Sequence, residues 1–121
     1  MSKKNTDWIF EVVFEEAGLT VSERYREGDR RGHHYYFFTD DGPATSGFID
    51  FQDGPIPESG VNGLTNEAVL TILAHRIEHL GRKFPCDENK TALAYIRQAL
   101  DALNARTRDR RARGVEGKEV L

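Results

Sequence analysis

The first half of the chain alternates apolar and polar positions in short runs, which is typical of β-strands. Residues 8–14, WIFEVVF, are rich in β-branched and aromatic side chains, and the EEAG segment that follows favours a turn. Residues 19–26 place Leu19, Val21 and Tyr25 on one face of a strand and polar residues on the other, residues 33–39 are apolar on both faces, and residues 47–51 form a shorter fourth run. Because the connections are short, we expect an antiparallel sheet of three to four strands in sequential order.

A segment rich in proline and glycine follows the predicted strands. Residues 52–63, QDGPIPESGVNG, contain two prolines and three glycines. Proline lacks a backbone N–H and glycine disfavours regular structure, so this composition predicts neither a helix nor a central strand. We therefore assign 52–64 as a linker between a β half and a helical half.

The pattern then changes to the spacing of an amphipathic helix. Thr65 is the predicted N-cap, Glu67 lies in the first turn where an acid is favoured, and Gly81 is the predicted C-cap. The apolar residues expected on one face are Val69, Leu73, Ile77 and Leu80.

A second and longer helix is predicted over residues 87–113. Its apolar seam, at steps of three and four, consists of Leu93, Ile96, Leu100 and Leu103. We therefore predict an α+β fold in a single domain of residues 1–121: a β half over 8–51, a helical hairpin over 65–113, and a tail over 114–121. So small a sheet and hairpin bury little core, which favours a homo-oligomer.

Composition narrows the class of protein further. The hydrophobic share of 38% and charged share of 31% are those of a soluble folded protein. No apolar run approaches the ~20 residues that cross a bilayer, and the N-terminus lacks the apolar stretch of a signal peptide. The single cysteine, Cys86, is expected in a reducing cytosol rather than in a disulfide framework.

Charge is distributed unevenly along the chain. Residues 104–118 contain six Lys and Arg against two Asp and Glu, a net charge of +4. Because the whole chain has a net charge of −3, the remaining residues together carry −7. This asymmetry argues against a generally basic nucleic-acid-binding protein and indicates a local anion site.

The sequence HRIEH over residues 75–79 matches the H-x-x-E-H pattern of inverted zinc peptidases. Two histidines four apart share a helix face and could bind zinc, with Glu78 as the base. The chain offers no recognisable third ligand or supporting architecture, so we expect His75 and His79 on the polar or interface face of the helix.

Other candidates for catalysis are weak. His33 and His34 are expected to be strand residues, and Cys86 has no histidine and aspartate arranged to make it a nucleophile. The sequence contains neither a P-loop nor a G-x-G-x-x-G motif. We therefore expect no enzyme activity, no cofactor and no metal site.

The C-terminal arginines have the spacing of a helix face. Arg106, Arg110 and Arg113 step by four and three residues, and a row of guanidinium groups suits phosphate oxygens. The residues alone leave open a solvated surface on which these arginines pair with Asp101 and Asp109.

Four segments together resemble a known family: GPIPESGVNG (54–63), TNE (65–67), CDEN (86–89) and RTRDRRARGVEG (106–117). In order and spacing they are similar to the helical-hairpin family of phage anti-defence proteins, the Thoeris anti-defence sponges and their anti-CBASS relatives. The β half resembles the Thoeris type.

The resemblance implies a non-enzymatic sponge in the cytoplasm of the infected bacterium. Such a protein binds a cyclic nucleotide immune signal, glyco-cyclic ADP-ribose for the Thoeris type and cyclic di- or trinucleotides for relatives. The matching ligand positions are Asn89, Arg106 and Arg110, with Arg113 as a further candidate. Leu80 replaces an aromatic that often stacks on a base in this family, which leaves Phe84 or a strand tyrosine as the substitute.

Helix geometry constrains how these positions could share a ligand. Asn89 and Arg106 are separated by 17 residues, about 25 Å along one helix. A pocket that uses both must lie between two antiparallel chains, and a two-fold axis then gives two equivalent pockets per dimer. The alternative is a small nucleic-acid-binding or regulatory protein that uses the arginine face and binds in a strongly salt-dependent way.

Overall fold

A computed structural model of the chain describes residues 7–40 and 45–114. The chain divides into two compact units. One unit contains the strands together with Val61–Gly63, and the other contains Gly54–Gly60 and the helices. The α+β class predicted from the sequence is confirmed, while the single domain stays a prediction.

The strand unit is a four-stranded antiparallel sheet in the order β1-β2-β3-β4. The strands are β1 (Ile9–Glu16), β2 (Leu19–Tyr25), β3 (His34–Thr39) and β4 (Ser46–Asp50). All four predicted strands are present, with ends that differ by one or two residues. The second run gives β2, which, like β3, pairs with a strand on each side.

A two-residue turn joins β1 to β2. Glu16 pairs with Leu19, and the two residues between them have positive φ, 51° at Ala17 and 80° at Gly18. Two successive positive φ values match the twist of a tight antiparallel hairpin. Glycine adopts this conformation freely, whereas alanine is strained in it.

Apolar side chains of the sheet remain largely open to solvent. Every residue of β1 is exposed, and Phe10 and Phe48 are 56% and 60% exposed. In the part of the sheet that the structure describes, the most buried residues are polar: Ser22 and Glu23, at 5% and 6%. Among the described residues of the sheet, no apolar side chain is fully buried.

Glu23 anchors the connection between β2 and β3. Its carboxylate accepts hydrogen bonds from Arg31 Nε and Nη2 at 2.9 and 2.7 Å, and from the backbone N–H of Gly32 at 2.6 Å. Arg31 also bonds Glu11 and lies 3.8 Å from the ring centroid of Tyr25. The hydrogen bonds from Arg31, together with that from Gly32, lower the pKa of Glu23 despite its burial.

Residues 61–63 are held against the chain that leaves β4. The Asn62 side chain accepts the backbone N–H of Asp53 at 2.8 Å and donates to the Asp53 carbonyl at 2.7 Å, while the Asn62 backbone N–H bonds Gln52. A Cβ atom on Gly63 would lie 2.5 Å from the backbone carbon of Phe51. The Asn-Gly pair of the GVNG segment therefore has a local structural role.

The segment predicted to be a linker contains one turn of helix, so the prediction that residues 52–63 exclude a helix is wrong. Helix α1 spans Ile56–Ser59, with Pro55 as its N-cap. Proline is compatible with the first helical turn because the N–H groups there have no partner within the helix.

Helix α2 spans Asn66–Lys83 and begins as predicted. Thr65 Oγ1 accepts the backbone N–H of Ala68 at 3.1 Å, which confirms the N-cap. The predicted C-cap at Gly81 is wrong, because α2 continues to Lys83 and Phe84 is the C-cap. Pro85 follows directly, and proline disfavours the helical conformation in the residue before it.

The apolar face of α2 also differs from the prediction. Leu73 and Leu80 are 41% and 37% exposed, whereas Val69 and Ile77 are partly buried. Leu70, Ala74, Ile77 and Gly81 form the partly buried line along the helix.

Helix α3 spans Asp87–Ala112, and its seam residues Leu93, Ile96, Leu100 and Leu103 are all partly buried, as predicted. Arg113 is the C-cap, and Gly114 follows with φ 71°. Of the predicted tail, residues 115–121 lie outside the described residues. Because α3 has 26 residues and α2 has 18, the C-terminal part of α3 extends about 12 Å beyond the start of α2.

Candidate ligand-binding site

A cleft of about 190 Å³ opens between α2 and α3 near the hairpin turn. Ile77 and Leu93 give it apolar walls, and Gly81 contributes backbone without a side chain. Arg82 and Lys90 add cationic groups. An apolar cleft with a few charged or polar groups is typical of a small-molecule site.

Asn89, one of the residues predicted to bind ligand, lines this cleft. Its position depends on the start of α3, where the Cys86 sulfur accepts the backbone N–H of Asn89 at 3.4 Å. Cys86 lines the cleft as well, so its role in the described residues is that of a helix cap. Asn89 is partly buried.

The cleft is smaller than a whole cyclic dinucleotide requires. Pockets for ligands of drug size enclose roughly 300–1,000 Å³, whereas this cleft provides about 190 Å³. It can hold one base or one sugar. A larger ligand would extend beyond it.

Leu80 and Phe84 lie beside the turn but do not line the cleft. The Phe84 backbone N–H donates to the Leu80 carbonyl at 2.8 Å, and the Phe84 ring is 63% exposed. Phe84 is therefore the aromatic that is accessible at this end of the hairpin. Tyr95 on α3 is similarly open, at 66%, and the sequence analysis did not select it.

The arginines predicted to share one face of α3 differ in their surroundings. Arg106 is exposed, whereas Arg110 is 7% exposed. Arg113 is the C-cap and forms an ion pair of 3.0 Å with Asp109. Of the three, Arg106 is the residue whose guanidinium group is most accessible to an anion.

The structure does not bring Asn89 and Arg106 together within one chain. Both lie on α3, which is continuous over Asp87–Ala112. The rise of an α-helix places them about 25 Å apart. The cleft end and the arginine end of the hairpin are therefore separate surfaces of one chain.

The HRIEH segment lies on α2, where His75 and His79 are exposed and have ring centroids 4.2 Å apart. Glu78, the base in the peptidase interpretation, instead bonds Arg82 at 3.1 Å and Arg97 at 3.2 Å. Within residues 7–40 and 45–114 there is no group of three or more His, Cys, Asp or Glu placed to hold a metal ion.

The sheet carries a cluster of arginine and aromatic residues that the sequence analysis missed. The Arg24 guanidinium lies 4.3 Å from the ring centroids of both Trp8 and Phe48, and Arg26 lies 4.3 Å from Trp8. These residues come from three strands or their ends, so their contact depends on strand register. Cation–π contacts of this kind stabilise a partly exposed sheet face.

Among the described helices, none combines the length and the apolar character that a membrane-spanning segment requires.

A family model described as "Acb2/Tad1, hairpin domain" matches residues 44–108. This match includes β4, α1, α2 and most of α3, and it ends between Arg106 and Arg110.

A curated relative shows the same relationship. The protein named "Thoeris anti-defense 1" from Bacillus phage SBSphiJ7 is 40% identical over 70 residues. The aligned part covers 57% of this chain and 49% of that protein. The chain thus spans about half the length of this curated relative.

Proposed function

Because the chain belongs to the Acb2/Tad1 hairpin domain family, we propose that it is a phage anti-defence protein that binds a cyclic nucleotide immune signal and sequesters it without degrading it. The observation that carries this proposal is the extent of the family match. Residues 44–108 include the complete cleft with Asn89, and they include Arg106.

The signal we propose is the glyco-cyclic ADP-ribose of Thoeris defence, because the similar phage protein carries the name Thoeris anti-defense 1. Cyclic di- and trinucleotides are further candidates of the same chemistry. Each contains phosphates, sugars and at least one base. An arginine can bind a phosphate, an amide can hydrogen-bond a sugar, and an apolar cleft can hold a base. The protein would act in the cytoplasm of the infected bacterium, where such signals are made.

We propose that the binding pocket lies between two chains of a homo-oligomer. One chain supplies Asn89 and its cleft, and an antiparallel second chain supplies Arg106, with Arg110 and Arg113 as further candidates. Two observations support this arrangement. The cleft of one chain is too small for the whole signal, and 25 Å of helix separates Asn89 from Arg106.

The exposed apolar residues at the turn support the same arrangement. Leu80 and Phe84 are 37% and 63% exposed, and they flank the cleft without lining it. A second chain and a bound base would remove them from water. Because Leu80 stands where the family often has a base-stacking aromatic, Phe84 is the candidate residue to stack on the base here.

The test is a calorimetric titration of the full chain with glyco-cyclic ADP-ribose and, separately, with a cyclic dinucleotide. The complex is then heat-denatured and the released ligand is identified by chromatography. Tight binding with recovery of intact ligand supports a sponge. A product of altered mass would instead identify an enzyme, and no binding of either ligand would contradict the proposal.

Arg106→Ala is the variant for this titration, and Arg108→Ala is its matched control. Both arginines are exposed on α3, but two residues of helix turn them about 200° apart. Loss of charge-assisted hydrogen bonds to a phosphate should weaken binding by roughly tenfold to a hundredfold in Arg106→Ala. Arg108→Ala should leave the affinity nearly unchanged, so equal losses would indicate a nonspecific charge effect.

The nucleic-acid alternative makes a different prediction for salt dependence. Binding to a phosphate backbone releases many counterions and weakens steeply as salt rises. An enclosed site with one or two arginines responds less. The burial of Arg110 and the ion pair between Arg113 and Asp109 leave fewer arginines accessible to a nucleic acid, which favours the enclosed site.

A further inference from the structure

We propose that His75 and His79 form a two-imidazole binding site on α2 for a divalent transition-metal ion of the zinc type. The two residues are four positions apart in an 18-residue helix, so their side chains lie on one face, one turn apart. Both are exposed, and their ring centroids are 4.2 Å apart. Two imidazoles in this arrangement can bind one ion together.

A hydrogen bond already orients one of the two rings. His79 Nδ1 lies 2.9 Å from the backbone carbonyl oxygen of His75. A carbonyl oxygen only accepts, so Nδ1 carries the proton and Nε2 of neutral His79 keeps its lone pair. Metal-binding histidines usually donate their second ring N–H in this way, which fixes the tautomer and the ring orientation.

The ring spacing is compatible with chelation. Two nitrogens bound to the same tetrahedral zinc ion at about 2.0–2.1 Å lie roughly 3.4 Å apart. The two rings have centroids 4.2 Å apart and planes inclined by 33°, so chelation requires side-chain rotations that open them around the ion. Residues four apart on one helix face are close enough for both imidazoles to reach it.

Glu78 separates this site from that of a zinc peptidase. Its two carboxylate oxygens accept hydrogen bonds from Arg82 and Arg97, so it is not available as a ligand or a general base. Its single negative charge offsets one of the two positive charges that it contacts. The described residues offer no group of three ligands, so water or a second copy of the chain must complete the coordination.

This site is independent of the proposed signal-binding pocket. Neither histidine lines the cleft between α2 and α3. An ion held by residues 75 and 79 would link two successive turns of α2 and stabilise that helix. The inference therefore does not depend on which nucleotide the protein binds.

The test is calorimetric titration of the full chain with zinc chloride, and with magnesium chloride as the comparison ion. We expect zinc to bind and magnesium to give no binding heat, because imidazole favours zinc and magnesium favours oxygen ligands. His75→Gln and His79→Gln should each lower zinc affinity at least ~tenfold, because each variant keeps only one of the two imidazoles that bind the ion together.

Two double variants with the same amino-acid composition test whether zinc binding depends on the spacing of the two histidines along α2. Thr71 is exposed one turn before His75 on the same face. Thr71→His with His79→Gln places histidines at 71 and 75, four apart, and should restore zinc binding. Thr71→His with His75→Gln places them at 71 and 79, eight apart, and should not restore it.

The outcomes separate clearly. Recovery in the first double variant alone supports chelation on α2, whether one zinc binds per chain or one per two chains. Equal zinc binding by the wild type and His75→Gln would overturn the inference, because the ion would then bind elsewhere. Equal binding by both double variants would overturn it as well.

Discussion

Asn89 and Arg106 lie on the same unbroken helix, 17 residues and about 25 Å apart, at opposite ends of the hairpin. Asn89 lines the cleft beside the turn, and Arg106 is exposed where α3 extends beyond α2. One signal molecule can contact both only if they come from different chains. The proposed pocket therefore has a consequence that can be tested with two inactive variants.

Mixed dimers of Asn89→Ala and Arg106→Ala should recover binding sites that neither variant has alone. In a mixed dimer, one pocket contains both substitutions and the other contains neither, because a two-fold axis exchanges the contributions. Random mixing of equal amounts makes half of the dimers mixed, so about a quarter of all pockets should be intact. Calorimetric stoichiometry after co-refolding measures this fraction.

The control is the Asn89→Ala, Arg106→Ala double variant mixed with wild type. In its mixed dimers each pocket combines one intact and one altered contribution, so no new intact pocket forms. Wild-type dimers still supply intact pockets in the control, so co-refolding should lower its intact share from half of the pockets to about a quarter, whereas the first mixture should rise from none to about a quarter. A rise in the first mixture together with a fall in the control supports a pocket between chains. If the first mixture stays inactive although mixed dimers are present, the two residues do not act in one pocket.

Much of the fold could be predicted from local patterns. The strand pattern of residues 19–26 and the Thr65 cap are short-range signals, and the strand and the cap that they predict are both confirmed. The end of α2 was misplaced because a glycine in helical spacing can lie within the helix as easily as it ends one. Pro85 decides that end, through its effect on the preceding residue.

The remaining features depend on contacts between residues distant in sequence. Strand register brings Arg24 between Trp8 and Phe48, and no local pattern contains that information. The burial of Arg110 could not be predicted from the sequence either, because helix periodicity places Arg110 on the same face as Arg106. Asn89 could be selected only through a family resemblance, because one asparagine at a helix start has no distinctive spacing.

Glu23→Gln should lower stability at neutral pH by about 1–2 kcal/mol, because the variant loses charge-assisted hydrogen bonds to Arg31. The pKa of Glu23 is below its usual 4.5 in the folded state. The carboxylate therefore stabilises the fold fully above pH 4.5, and this contribution disappears as the pH falls through the lowered pKa. Urea unfolding at several pH values measures the difference between wild type and variant.

The matched control is Glu15→Gln, an exposed glutamate on the same sheet. We expect it to change stability by less than ~0.5 kcal/mol. A Glu23→Gln effect that does not diminish toward pH 3 would show that the loss arises from packing and not from the charge.

Ala17→Asn should stabilise the sheet by about 0.5–1 kcal/mol. Ala17 has φ 51° in the turn between β1 and β2, and asparagine adopts this conformation more readily than alanine. Chemical unfolding followed by tryptophan fluorescence is suitable because Trp8 directly precedes β1 and its ring contacts Arg24 of β2. Ala17→Val is the opposite control, since a β-branched residue at positive φ should destabilise; a gain in stability there would contradict the assigned turn.

Two glycine-to-alanine substitutions should have opposite effects on stability. A Cβ atom at Gly63 would lie 2.5 Å from the Phe51 backbone carbon and 2.6 Å from its carbonyl oxygen. Because backbone cannot move aside as a side chain can, Gly63→Ala should destabilise by about 1–3 kcal/mol. Gly81 is inside α2 with no heavy atom within 4 Å of the added Cβ, so Gly81→Ala should stabilise by about 0.5–1 kcal/mol.

Thermal and urea unfolding of both variants measure this contrast, with fluorescence for the sheet and circular dichroism at 222 nm for the helices. Both variants add the same methyl group, so the difference between their stabilities reports the local environment of each glycine. A stable Gly63→Ala protein would mean that Val61–Gly63 can separate from Asp50 and Phe51 without loss. In that case the Asn62 hydrogen bonds to Asp53 would not hold this segment, and the glycine of the GVNG segment would have a role other than close backbone approach.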